Sequence, residues 1–189
     1  MNRTRLVKGL IFAAAAMMVA SIPAGAQQVA KLTPAELTTI RAEVARAGAV
    51  SLWAVTEDFT GSFQSVAAAS ETVKQQFASQ NLGASIGSFQ VTGILILPED
   101  PTGKSQFRMS VGFTVPGSLP VRPPLKIQQI RYSTAVRHTH VGAYPELEHV
   151  YRGIGGIRSA SFPVVLRLID DPLRVPAQWL RTELIVPVK

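Results

Sequence analysis

Two stretches of the chain share one order of apolar and polar positions. In the first, an apolar run over residues 50–56 is followed by a turn. Phe63, Val66, Ser70, Val73 and Phe77 then recur at steps of three and four, the spacing of one helix face, and Gly83 is expected to end that helix. Strand-like runs follow over residues 88–97 and 106–115, joined by Pro98-Glu99-Asp100-Pro101-Thr102-Gly103, a connection made of turn residues. The second stretch repeats the order. A strand runs from about residue 126 to 138, and a short helix opens at Pro145 with Leu147, Val150, Tyr151 and Ile154 inward. Gly153, Gly155 and Gly156 are expected to stop it. Strands over residues 161–169 and 179–188 flank Asp170-Asp171-Pro172.

The correspondence extends to single residues. Phe59-Thr60-Gly61-Ser62-Phe63 with Val66 parallels His140-Val141-Gly142-Ala143-Tyr144 with Leu147. Phe107-Arg108 and Leu180-Arg181 each start the last strand of a half. Matches in one order predict a duplicated β-α-β-β unit. The expected fold is α+β, with a concave antiparallel sheet and the helices on one side. The halves span residues 49–115 and 126–189, and the linker over residues 116–125 holds four prolines that make it an extended, stiff crossover. Ahead of the first half, residues 27–48 read as a tail and one short amphipathic helix. Thr33 is its N-cap, Pro34 its first residue and Glu36 the partner in a capping box; Leu37, Ile40 and Val44 form its inward face.

Residues 1–26 have the grammar of a secretory signal peptide. Arg3, Arg5 and Lys8 precede an apolar run over residues 10–20, and Ala24-Gly25-Ala26 supplies small residues for cleavage. That run is shorter than the roughly 20 residues a membrane span needs. The expected product is periplasmic or secreted, without stable membrane insertion after cleavage. The chain has no Cys, which excludes disulfides and thiolate chemistry. Removing the three leader bases lowers the charge from +7 to +4, and the remaining bases are scattered, so no nucleic-acid partner is expected.

Three stretches resemble the GyrI-like small-molecule-binding (effector-binding) domain family. They are Val136-Arg137-His138-Thr139-His140-Val141-Gly142-Ala143-Tyr144 with Leu147, then Asp170-Asp171-Pro172, then the tail Leu180-Arg181-Thr182-Glu183-Leu184-Ile185-Val186-Pro187-Val188. The likeness covers residues 49–189. It implies two β-α-β-β halves in pseudo-twofold symmetry, with an apolar or cationic ligand in the groove between them and the closing-strand Glu facing that groove. Some stand-alone relatives are hydrolases of strained cyclopropane-containing compounds that use a groove Glu with aromatic residues. The segments outside the likeness are the leader and one short helix, so the expected member is exported and acts without a DNA reader.

Glu183 is the first candidate, a carboxylate in an otherwise apolar strand. Alternation puts Thr182, Leu184 and Val186 on one face and Arg181, Glu183 and Ile185 on the other. In a groove it would attract a cation, or serve as the general acid/base of a hydrolase. As a structural group it would pair with Arg181, Arg167 or Arg108. Trp53, Tyr132, Tyr151 and Trp179 are the aromatic candidates for ligand contact. Tyr151 lies on the helix's inward stripe and reads more readily as core; Trp53, on the face away from Leu52 and Ala54, is the better groove candidate. His138 and His140 share a strand face, but H-x-H alone specifies no metal, and neither a metal nor a cofactor is expected. The leading expectation is a binding protein, with the hydrolase as one alternative. Haem or tetrapyrrole binding like that of the SOUL family, similar in architecture, is another, and a structural or interaction module of the envelope a third.

Overall fold

The computed structural model describes residues 32–189. The leader over residues 1–26 and the start of the tail lie outside the described residues. α1 (Pro34–Ala45) opens with the expected capping box. Glu36 N donates to Thr33 Oγ1 at 3.2 Å, and Thr33 N donates to Glu36 Oε2 at 2.7 Å. The exchange satisfies two amides at a helix start that otherwise lack partners. The first half follows as β1 (Gly48–Gly61), α2 (Val66–Ser79), α3 (Leu82–Ile86), β2 (Gly93–Leu97) and β3 (Phe107–Val115). The second is β4 (Lys126–Val141), α4 (Leu147–Ile157), β5 (Val164–Leu168) and β6 (Arg181–Pro187). In both halves an aromatic residue starts a single helical turn ahead of the helix, Phe63 before α2 and Tyr144 before α4. Their rings lie 6.5 Å apart.

Three glycine and boundary expectations change. Gly83 sits inside α3, and β2 begins at Gly93 rather than near residue 88. α4 runs through Gly153, Gly155 and Gly156 to Ile157. A Cβ on Gly153 would come within 2.2 Å of Leu32 Cδ1 and 3.4 Å of Ile40 Cδ1. The glycine is the surface on which α1 lies, and the helix continues because packing outweighs the roughly 1 kcal/mol propensity cost.

All strand pairs are antiparallel, and the sheet closes on itself in the order β1-β3-β2-β5-β6-β4. Two seams join the halves. β1 pairs with β4, from Val50↔Tyr132 to Thr56↔Lys126, and β2 pairs with β5, from Gly93↔Leu168 to Leu97↔Val164. Side-chain alternation then divides the core in two. Val55, Leu95, Val111, Leu166, Leu184 and Val186 face outward, under the helices. Ala54, Ile94, Ile96, Ile130, Ala135, Val165 and Ile185 face inward and are at most 7% exposed, so the base of the concave face is a packed aliphatic layer.

β4 carries an irregularity that reverses its facing. Gly48 pairs with Ala135 but Val50 with Tyr132, so β4 has one residue more than β1 over this stretch. Ile130 and Tyr132 belong to the inner layer before the bulge, and Ala135 after it. Arg137 therefore points inward, while His138 and His140 point toward the helices. Across the outer surface the Pro-rich linker is held by Gln80, whose Nε2 donates to Arg122 O at 2.9 Å and whose Oε1 accepts from Arg122 N at 2.7 Å. Leu119 and Leu125 anchor it in the outer core. Among the described residues no helix is long and apolar enough to cross a membrane.

Candidate functional site

β6 places Glu183 on the inner face with Ile185, while Thr182, Leu184 and Val186 lie on the helix side. Glu183 opposes Thr139 of β4 on one side and Arg167 of β5 on the other. Its two oxygens are taken by different arginines. Arg137 Nε donates to Oε1 at 2.8 Å with its Nη2 2.6 Å from the same oxygen, and Arg167 Nη1 donates to Oε2 at 2.8 Å. The Glu183 side chain is 13% exposed, against 32% for Arg167 and 56% for Arg137. Of the three structural partners expected for Glu183, only Arg167 is engaged. Arg181 forms a two-pronged pair with Asp170, and Arg108 lies beside Glu99. The paired Arg181 side chain and its backbone N–H hold the Asp170 carboxyl down to about 2.

Glu183 and Arg167 border a cavity of about 580 Å³, within the range of small-molecule sites. α2 contributes Ser70, Glu71 and Lys74. The segment before β2 contributes Gln90 and Val91, and the β5–β6 loop contributes Ile169 to Leu173. Phe113 supplies an aromatic wall, fixed edge-on against Phe77 with ring centroids 6.0 Å apart. Val91, Ile169 and Leu173 are exposed apolar side chains on its rim, at 41%, 44% and 65%. Four carboxylates (Glu71, Asp170, Asp171 and Glu183) line it against two cations, Lys74 and Arg167. A second cavity of about 360 Å³ adjoins it, with Gln90 and Arg167 lining both.

The aromatic candidates do not converge on Glu183. Tyr132 is on the inner layer, its hydroxyl donating to Pro163 O at 2.7 Å, and burial pushes its ionisation up. Trp53 packs with Val55 against the helix-side core, the opposite of its expected facing, because Leu52 and Ala54 took the inner layer. It borders only the second cavity. Tyr151 is core: its hydroxyl bonds Asp100 Oδ1 at 2.9 Å and Thr102 Oγ1 at 2.8 Å, tying α4 to the β2–β3 connection. Trp179 is 65% exposed on a single helical turn ahead of β6, away from both cavities. The sequence does not mark out Phe113, Arg137 and Arg167 as cavity-lining residues. Phe113 sits in a run that reads as ordinary strand, and the inward turn of Arg137 depends on the bulge.

The histidines gather on the outer side. His138 Nδ1 contacts Glu43 of α1, His149 Nε2 lies 3.8 Å from Glu36, and the rings of His140 and His149 are 5.8 Å apart. Burial, then the neighbouring His149, holds the His140 imidazole below its usual range. Among the described residues no group of three or more His, Asp or Glu side chains is placed to hold a metal ion, and no histidine lines either cavity.

The molecule is thus a closed α+β barrel of two β-α-β-β halves with a charged cavity at one end. The same fold is found in solved structures at low sequence identity. The EcmrR C-terminal domain matches with a TM-score of 0.56 at 14% identity, over 76% of this chain and 98% of that one. A hydrolase from Listeria innocua matches with a TM-score of 0.53 at 12% identity, over 76% and 91%. EcmrR in a complex with DNA matches with a TM-score of 0.53 at 11% identity, over 82% of this chain and 66% of that one, so this chain spans just under two thirds of its length. No family model matches the chain, and no curated protein matches it in sequence.

Proposed function

We propose that this is an exported small-molecule-binding protein of the GyrI-like type, and that its ligand is an apolar cation held in the 580 Å³ cavity. The observation that carries this reading is the cavity's lining, where the loosely paired carboxylates of Glu71 and Asp171 stand with Phe113 and the exposed rim of Val91, Ile169 and Leu173. An apolar body removed from water gains roughly 25 cal/mol per Å² buried, and the loosely paired carboxylates of Glu71 and Asp171 select its charge. The fold shared with the EcmrR C-terminal domain supports the architecture. Export rests on the leader grammar of residues 1–26.

Binding is favoured over hydrolysis. A general acid or base needs an oxygen free to reach substrate, and both oxygens of Glu183 already accept from arginines. The carboxylates offered to a ligand are Glu71 and Asp171, whose own cations stand 3.5 and 3.4 Å away. Calorimetry with octyltrimethylammonium against octanol tests the reading. The cation is expected to bind several-fold tighter, and the Glu71→Gln/Asp171→Asn variant to erase that preference. Equal affinity for the two probes would refute it. Sequencing the N-terminus of the exported product should place it at Gln27; a retained leader would refute the export half.

A further inference from the structure

We propose that the second cavity is a separate subsite for an apolar carboxylate, its acid group held by Arg137 and Arg167. This goes beyond the cation reading, because it concerns another cavity with lining of the opposite sign. Among the described residues, the only charged side chains lining these 360 Å³ are the two arginines. The rest is apolar or neutral: Leu52 and Ile185 from the inner layer, Trp53, Phe89 and Pro116 beside them, and Ser51, Gln90 and Thr114 as hydrogen-bonding groups.

The arginines have capacity to spare. Glu183 occupies two nitrogens of Arg137 and one of Arg167. Arg137 Nη1 and Arg167 Nε and Nη2 remain for another acceptor, and the triad carries a net +1. Because both guanidiniums converge on one carboxylate, they are already gathered at the spacing that a second carboxylate needs. Planar guanidinium forks match carboxylate geometry and are less strongly hydrated than ammonium groups, so a partly enclosed apolar site suits them. Phe89, 39% exposed, and Trp53 give the apolar part of the ligand a surface that is otherwise wet. Glu183 thus has two effects. It holds the arginines together, and it competes with the incoming anion for them.

Calorimetry with octanoate, and with octanol as its uncharged twin, tests the subsite. Octanoate is expected to bind roughly tenfold or more tightly than octanol, the scale of hydrogen bonds to charged groups. Arg137→Gln should remove that advantage. Glu183→Gln should tighten octanoate severalfold, whereas Glu71→Gln/Asp171→Asn, which alters neither arginine nor any residue lining this cavity, should leave octanoate binding unchanged, so either proposal can fail alone. Equal binding of octanoate and octanol by the unaltered protein would overturn the inference, and needs no variant to fold. So would an Arg137→Gln protein, shown folded by circular dichroism, that keeps its preference for octanoate, or a Glu183→Gln protein that loses octanoate.

Discussion

Replacing Glu183 by Gln leaves the volume nearly unchanged and removes the one anion that two guanidiniums share. Exposed ion pairs contribute about 0.2–1 kcal/mol, whereas breaking a buried one costs about 3–5 kcal/mol. The triad falls between these limits. Glu183 is 13% exposed, and Arg167, at 32%, is its more enclosed partner, while Arg137 is 56% exposed and largely hydrated. The amide oxygen of Gln still accepts from one arginine, so the expected loss is about 2 kcal/mol, most of it from the Arg167 side. Urea unfolding followed by circular dichroism reads this as a midpoint lower by about 1 M with unchanged slope. Two guanidiniums left facing each other repel, so raising NaCl should recover part of the loss. Removing Arg137 as well should cost less than the sum of the single changes, because it relieves that repulsion. A Glu183→Gln protein within about 0.5 kcal/mol of the parent, or one whose deficit ignores salt, would show that the triad is not a coupled unit.

Gly153→Leu should push α1 off α4 while sparing the barrel, since the added side chain occupies the place of Leu32 and Ile40. Hydrogen exchange over residues 34–45 should quicken, and unchanged exchange there would show that α1 does not rest on Gly153. Tyr144 is 6% exposed, its hydroxyl has no partner among the described residues, and burial followed by Asp171 and Asp170 pushes its ionisation up to about 12. Tyr144→Phe should therefore be neutral or stabilising by up to about 1 kcal/mol in urea unfolding; a clear loss would reveal a hydrogen bond for that hydroxyl. The Asp170 carboxyl sits at about 2, below its unfolded value near 4, so its pairing with Arg181 contributes above about pH 4 and is lost as pH falls toward 2. Asp170→Asn should flatten the acid dependence of the unfolding midpoint in that window. An identical acid profile would remove the pair from the account.

The duplicated order was legible because each half repeats local signals: a helix period, an aromatic start to the helix, and turn residues between strands. Glu183's facing was legible too, since Thr182, Leu184 and Val186 form the more apolar set and packed under the helices. Trp53 illustrates what was not. Both faces of β1 are buried near Ala54, so alternation says which residues share a side but not which side is inward. Closure depends on β1–β4 and β2–β5 pairings far apart in sequence, which leave no local trace. The bulge in β4 is likewise invisible among residues 132–135, yet it decides that Arg137, and not His138, joins Glu183. Glycine was over-read as a stop signal, because the partner that needs Gly153 bare lies more than a hundred residues away.

Closing the sheet has a consequence for how the protein keeps to itself. Either half alone would end in strands with a row of free N–H and C=O groups, along β1 and β2 in the first and along β4 and β5 in the second. Such edges template pairing with other copies. The ring spends them on one another, so that neither half is left sticky. For a chain without cysteine, the two seams do by hydrogen bonding what a covalent clasp would otherwise do. Duplication here is less a doubling of binding surface than a means of self-capping, in which each half is the other's protection from aggregation.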